Sequence, residues 1–411
     1  MFSKLLSSQL QKAIKENGFT KPTPIQNKVI PLVLKKQDVL ARAQTGSGKS
    51  ASFILPILEL LSKNTVIKKA KIKVLVLAPT RELTLQLAKS FEDFSIYLSK
   101  KFKIVSLIGG ESIGNQLYDI QQGCDVLVAT SGRFLDVVSK KQMNLSSVDF
   151  FVLDEADKML SFAFEEQLEL ILNELPEKRQ NLFFSATYPP KMQSILKRIS
   201  ENPKEVSDDT GESIVKTINQ RVIEVNHENR APLIRHILKT NNFKSVLIFM
   251  ANKRASDNIA AKFRKYGLDA YSFNGDLEQE ERNITLQAFR DKKFSILFAT
   301  DLASRGIDIE DIDCIINFDL PRSPSDYIHR IGRTGRAGKS GLAISLISHE
   351  DQEHFKLIEK RAGIKLQREQ IAKFELTGSP IIKEKGKAPV KGKGKSKKDK
   401  LREKALKDKK Q

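Results

Sequence analysis

Short apolar runs recur along the first half of the chain at 39–41, 74–78, 104–108, 126–129, 150–153 and 182–184, separated by longer amphipathic stretches. Each run is nearly all apolar and ends at polar or small residues, the pattern of a parallel strand buried on both faces. Strands alternating with helices imply βαβ units. The pattern lapses at Asp208, Asp209, Thr210, Gly211 and Glu212, a polar stretch without periodicity. It restarts with strand-like runs at 246–250, 270–273, 296–299 and 314–318, and with helical spacing at 256–266 and 279–290. The fold class expected is therefore α/β, as two tandem units with mostly parallel sheets. Residues 1–206 form the first domain, 207–219 a linker, 220–377 the second domain and 378–411 a tail. Two units of similar size imply a duplicated architecture, although no repeat relates them in sequence.

Charge changes the picture. The 411 residues carry 70 Lys+Arg against 50 Asp+Glu, a net charge of +20. An excess of that size points to a polyanionic partner, nucleic acid above all, or else to an ordinary cationic surface. Half of it sits at the end, where 383–411 holds 14 Lys/Arg and 4 Asp/Glu, several glycines and no aromatic residue. That composition predicts a disordered, solvated, RNA-binding extension, with a targeting address as the alternative. No run reaches the roughly 18 apolar residues of a membrane span. Cys124 and Cys314, the two cysteines, have no metal-type spacing, so neither a disulfide framework nor a Cys-based zinc site is expected, and a reducing, cytoplasmic setting is.

Candidate chemistry begins at Ala43-Gln44-Thr45-Gly46-Ser47-Gly48-Lys49-Ser50, which follows the run 39–41 and precedes a helical stretch. Strand, glycine loop and helix in that order make a phosphate cradle from backbone N–H groups and the helix N-terminus. Lys49 would reach the β/γ-phosphates and the Ser50 hydroxyl would ligate Mg²⁺. The competing reading is a structural glycine turn. The second element, Val152-Leu153-Asp154-Glu155-Ala156-Asp157, ends an apolar strand in a carboxylate at the edge of the sheet where nucleotides bind. Asp154 suits the Mg²⁺ shell, and Glu155 suits the base that positions the attacking water. Ordinary acidic capping of a helix is the alternative.

Asp154-Glu155-Ala156-Asp157 spells the signature of the DEAD-box RNA helicases, and the chain resembles that family over about residues 2–377. Phe19 with Pro22-Thr23-Pro24-Ile25-Gln26 resembles its adenine-sensing motif, and Phe2 its upstream aromatic. Pro79-Thr80-Arg81-Glu82-Leu83, Gly109-Gly110 and Thr130-Ser131-Gly132-Arg133 are similar to its RNA-backbone motifs, and Ser185-Ala186-Thr187 to its coupling motif. The second half continues with Ile248-Phe249, Gln279 with Arg282, Ala299-Thr300-Asp301, Arg305-Gly306-Ile307-Asp308 and the segment from His329 to Arg336. Residues 109–113 and 180–185 look most like the bacterial RhlE-type branch. Four positions depart from the family pattern: Ser50 for Thr, Ser131 for Pro, Asn274 for His and Tyr188 for Phe. None removes a charged catalytic group; Ser131 is expected to loosen the local backbone and weaken one RNA contact.

The resemblance implies two RecA-like domains and an RNA-stimulated ATPase that unwinds or remodels short RNA duplexes, with ATP and Mg²⁺ as cofactors. It assigns Phe19, Gln26, Gln44, Thr45, Gly46, Ser47, Gly48, Lys49, Ser50, Asp301 and Gly306 to nucleotide, with Ser50 and Asp154 on the metal. Gln26 offers adenine a donor and an acceptor, and Phe19 an apolar surface. Lys49, Asp154, Glu155, Arg333 and Arg336 are the catalytic set, the two arginines reaching one cleft if their segment is helical; surface salt bridging is their plainer alternative. Asp157, Ser185, Thr187 and His329 would couple the domains. Thr80, Arg81, Gly110, Thr130, Gly132 and Arg133 on one domain, and Gly275, Arg282 and Thr300 on the other, would hold RNA backbone without reading sequence. Loss of the N-terminus, faintly like a transit peptide, would cut into this nucleotide site, so it is expected to be retained. A monomer is expected, with ribosomal or RNA-decay proteins as partners and no membrane. A clamp or annealing factor without net unwinding and a DNA translocase are the competing functions.

One prediction concerns the tail. Truncation after Gly378 should leave ATPase at saturating RNA close to that of the full chain. RNA affinity at low salt should fall, and the salt slope of single-strand binding should flatten by about 0.7 for each phosphate that the tail no longer neutralises. A salt titration of RNA binding beside RNA-stimulated ATPase checks it: a collapse of the saturated rate would mean the tail completes the site.

Overall fold

The computed structural model describes residues 5–43, 47–63, 70–159, 162–185, 195–196, 199–200, 202–207, 218–301, 312–335 and 341–379. The chain divides into a body, Met1–Leu376, and a segment, Thr377–Gln411. Phe2, most of the expected linker (208–217) and the basic tail from 380 lie outside the described residues. Among those described, no helix is long and apolar enough to cross a membrane.

The body holds two parallel sheets. The first contains β1 (Val39–Arg42), β2 (Val74–Ala78), β3 (Ile104–Leu107), β4 (Val126–Thr130), β5 (Phe150–Leu153), β6 (Gln180–Ser185) and β7 (Lys204–Ser207), in the order β3-β4-β2-β5-β6-β1-β7. The second contains β8 (Ile218–Glu224), β9 (Val246–Met250), β10 (Ala270–Phe273), β11 (Ile296–Thr300), β12 (Cys314–Asn317), β13 (Gly341–Ile347) and β14 (Arg368–Glu369), in the order β10-β11-β9-β12-β13-β8-β14. Shifted by seven, the two orders are identical, so the duplication expected from the sequence is present in topology.

Both sheets are buried on two faces, which explains their continuous apolar runs. In β2, Val74, Val76 and Ala78 join one core while Leu75 and Leu77 join the core on the other face. In β9, Leu247 and Phe249 point to one side and Val246, Ile248 and Met250 to the other. The N-terminal helix Ser8–Glu16 buries Leu10, Ala13 and Ile14 against the first of these cores.

Two strands differ from the apolar template. β7 has three exposed residues of four, and β8 mixes Asn219, Gln220 and Arg221 with its apolar residues. Both ends of the expected linker are strand: Ser207 closes β7 and Ile218 opens β8. Because all pairings are parallel, the carboxyl ends of β1, β2, β4, β5 and β6 emerge along one edge. Ala43, residues 47–50, Thr80, Thr130, Asp154 and Ser185 lie there together.

Candidate functional site

At the end of β1 the chain enters the glycine loop and then the 14-residue helix Lys49–Ser62. Gln44, Thr45 and Gly46 lie outside the described residues; Ser47, Gly48, Lys49 and Ser50 lie within them. Gly48 caps the helix in a left-handed conformation at φ 88°, and a Cβ there would lie 2.5 Å from Gln26 Nε2. Glycine is required on both counts. The N–H groups of the first turn have no partner within the helix, which makes an anion site of the helix start. Lys49 is buried at that point.

Gln26 braces this loop. It is fully buried, accepts from Thr23 N at 3.0 Å and donates through Nε2 to Gly48 O at 3.1 Å. The expected adenine-facing amide is thus also a tether between the helix Pro24–Leu34 and the phosphate loop. Phe19, partly exposed, packs its ring against Phe94 at 5.8 Å. Gln26→Ala should weaken ATP binding by about 1–3 kcal/mol and relax discrimination against GTP. Nucleotide titrations check this, and unchanged affinity and selectivity would refute both roles.

The acidic loop follows β5. Asp154 N donates to Leu77 O on β2 at 3.0 Å, and Asp154 Oδ1 accepts from Glu155 N at 2.9 Å. Glu155 has φ 48°, a left-handed conformation uncommon for a residue with a side chain. Such strain persists where the surroundings enforce it, and here it fixes the direction of the carboxylate. Both side chains are buried. Burial pushes the Asp154 carboxyl up to about 6; the Lys49 ammonium opposes this and the Glu155 carboxylate adds to it. A buried carboxylate so placed gains by accepting a cation. Among the described residues no cluster of three or more His, Cys, Asp and Glu forms a cation cage. One carboxylate and one hydroxyl beside a phosphate loop fit Mg²⁺, which keeps much of its own water and takes few protein ligands.

Ser185 joins the two loops. Its backbone carbonyl accepts from Ala43 N at 3.0 Å and its hydroxyl accepts from Asp157 N at 3.1 Å. Thr187 lies outside the described residues.

A cleft of about 440 Å³ gathers the expected RNA residues from both halves. Thr80, Arg81, Thr130, Gly132 and Arg133 line it on the first, Gly275 and Arg282 on the second. Gly110 stands beside it at φ 86°, where a Cβ would run into the Arg81 guanidinium. Arg133 is fixed by Gln116 Oε1 at 2.8 Å and Glu111 O at 3.1 Å. Thr300 ends β11, buried. Beside the cleft the halves are joined directly. Arg282 donates through Nε to Glu82 Oε1 at 2.7 Å and through Nη1 to Asn274 O at 2.7 Å, with its guanidinium over Phe273. Both charges are buried. Arg81 donates to Gln279 Oε1 at 3.3 Å.

On the second half, the helix Pro324–Ile331 carries His329 and leads to Arg333, which is buried. The helix stops at Ile331, so the helical spacing argued for Arg333 and Arg336 does not hold. Arg333 sits in the turn after it, and Arg336 and Gly306 lie outside the described residues. Asp301, expected on the nucleotide sugar, accepts from Arg330 through both oxygens at 2.6 and 2.7 Å. Arg330 also donates to Asn317 Oδ1 and Asp319 O. Sequence reasoning missed this hub because it assigned Arg330 no partner.

Comparison with known proteins is consistent throughout. Residues 23–195 match the DEAD/DEAH box helicase family and residues 229–338 the helicase conserved C-terminal domain. The chain is 37% identical over 363 residues to the DEAD-box ATP-dependent RNA helicase CshA of Bacillus licheniformis, covering 88% of this chain and 73% of the relative. The chain belongs to the DEAD-box RNA helicase family. A second member, the ATP-dependent RNA helicase DeaD of Mycobacterium tuberculosis, is 38% identical over 89% of this chain, which spans 63% of DeaD. Among solved DEAD-box structures, S. cerevisiae Dbp5 bound to RNA and ADP BeF3 superposes with a TM-score of 0.81 at 30% identity, covering 90% of this chain and 95% of Dbp5. Mss116p bound to ssRNA and AMP-PNP also superposes with a TM-score of 0.81, at 28% identity over 90% of this chain and 78% of Mss116p. The two sheets are therefore the tandem RecA-like domains of the family.

The departures from the DEAD-box pattern have local explanations. Ser131 opens the helix Ser131–Val138 at its first position, where proline is favoured because no amide partner is needed there. The helix forms with serine at this position. Asn274 is buried; its side chain accepts from Asp276 N at 3.0 Å and donates to Asp257 Oδ1 at 2.8 Å, shaping the turn that presents Gly275. Tyr188 lies outside the described residues.

Proposed function

We propose that the chain hydrolyses ATP in response to RNA and uses domain closure to open short RNA duplexes locally. The single observation that carries this is the cleft in which the RNA-motif residues of both domains converge beside the buried Glu82–Arg282 pair. RNA binding and domain closure are thereby the same event.

Lys49 and the N–H groups that start its helix bind the phosphates. Glu155 orients a water and accepts its proton. Arg333, with Arg336, meets charge developing on the transferred phosphoryl from the other domain, so turnover needs closure. Ser50 and Asp154 would hold Mg²⁺, which neutralises charge on the β- and γ-oxygens when bound. Gln26 and Phe19 bind adenine while Gln26 tethers the loop. Ser185, Asp157 and His329 link the sites. Thr80, Arg81, Gly110, Thr130, Gly132, Arg133, Gly275 and Thr300 contact RNA backbone. Arg282 lies with them on RNA and also closes the domains on Glu82; Asp301 lies on the nucleotide sugar and also holds Arg330.

Backbone recognition fits a general remodeller acting as a monomer in the cytoplasm, in ribosome assembly or RNA decay. The division 1–206, 207–219, 220–377 and 378–411 is kept as the domain plan. Phosphate release measured with single-stranded RNA, DNA and no nucleic acid tests the reading. RNA should stimulate strongly and DNA weakly; equal stimulation would favour a DNA translocase.

A further inference from the structure

The short helix Ala156–Met159 follows Glu155 directly, and Lys158 N donates to Glu155 O at 2.9 Å. Its Lys158 side chain crosses to the other domain and meets Asp326 Oδ1 at 2.5 Å. The two side chains are only 8% and 16% exposed, so this is a nearly dry ion pair rather than a surface one. Surface pairs contribute little, whereas breaking a buried pair leaves a charge uncompensated.

Asp326 is rigidly mounted. It lies in the first turn of the helix Pro324–Ile331, its Oδ2 accepting from Ser323 Oγ at 2.7 Å and its N donating to the same hydroxyl at 3.1 Å. From there the hydrogen-bonded backbone is continuous to Arg333, whose N donates to Arg330 O at 3.2 Å. Arg330 is clamped in turn by Asp301, Asn317 and Asp319. One hydrogen-bonded segment thus connects Asp326 to Arg333, and one turn connects Lys158 to Glu155.

We propose that Lys158 and Asp326 are a positioning pair that sets the register of the arginine segment of the second domain against the water-orienting Glu155 of the first. Neither residue lines the RNA cleft. It rests on the ATPase reading above and extends it, since it selects among closed arrangements the one in which Arg333 and Glu155 flank the same phosphoryl group. The Glu82–Arg282 pair, next to the RNA cleft, closes the other end of the domain interface.

The test is a charge reversal read by steady-state ATPase on the full chain. The wild-type protein is measured first with and without RNA; absence of RNA stimulation would overturn the helicase reading, and this inference with it. Given stimulation, Lys158→Asp and Asp326→Lys should each lower kcat at saturating RNA about tenfold, with KM for ATP unchanged. The double reversal should recover to within about threefold of wild type, because the attraction is restored with its sign inverted. Recovery is the readout that a role inside one domain would not give. A double variant no better than the worse single, or singles at the wild-type rate, would overturn the proposal. If a reversal fails to fold, Lys158→Met and Asp326→Asn form a second cycle; strictly additive losses in kcat there would overturn it equally.

Discussion

Glu155→Gln is expected to bind ATP and RNA normally and to lose turnover by about 10²-fold or more. The substitution keeps the size of the side chain and removes its basicity, and a positioned general base contributes about 10²–10⁴ in rate. The environment makes the loss hard to replace. Glu155 is buried, its backbone is held left-handed, and its neighbour Asp154 is turned to accept its own amide. Among the described residues no other Asp or Glu has a left-handed backbone to aim its carboxylate in this way. Single-turnover hydrolysis beside equilibrium binding of ATP and RNA separates the two effects. Near-normal turnover would move the water-orienting role elsewhere.

Arg282→Ala is expected to have a comparable effect by a different route. It leaves the Glu82 carboxylate buried against the opposite domain with no cation, and removing one partner of a buried pair costs about 3–5 kcal/mol. Charged to the closed state, that is about 10²–10⁴ in its population. RNA-stimulated kcat/KM should fall by that order, while ATP binding to the first domain should be unchanged because Arg282 lies outside it. Glu82→Gln, which keeps a hydrogen-bond acceptor, should fall less. Equal and small losses in both variants would mean that closure does not depend on this pair.

The contrast between these residues shows what the sequence made legible. Buried parallel strands such as β2, β5 and β9 announce themselves because both faces need apolar residues. β7 and β14 do not, because they are edge strands and short, and the interior strand β8 does not because Asn219, Gln220 and Arg221 interrupt its apolar run. Lys49, Asp154 and Glu155 were legible since phosphate chemistry fixes both residue type and spacing. Arg282 and Asp301 were legible as functional positions, but the ion pairs they make were not. Their partners, Glu82 and Arg330, are 200 and 29 residues away, and no local rule pairs such charges. The same applies to Lys158 and Asp326, separated by 168 residues. The helical condition attached to Arg333 and Arg336 is not met among the described residues, because the helix ends at Ile331 and Gly332 follows it directly.

The most direct measurement is strand displacement on a short RNA duplex at a fixed saturating protein concentration. The duplex is supplied with ATP, with a non-hydrolysable analogue, or with no nucleotide. The account predicts fast displacement with ATP, at most a single round with the analogue, where closure occurs without release, and none without nucleotide. Base-pair steps cost about 1.4 kcal/mol by analogy with DNA, so the rate should drop steeply as the duplex is lengthened. Displacement indifferent to nucleotide, or strand annealing accelerated by ATP with no displacement, would contradict it.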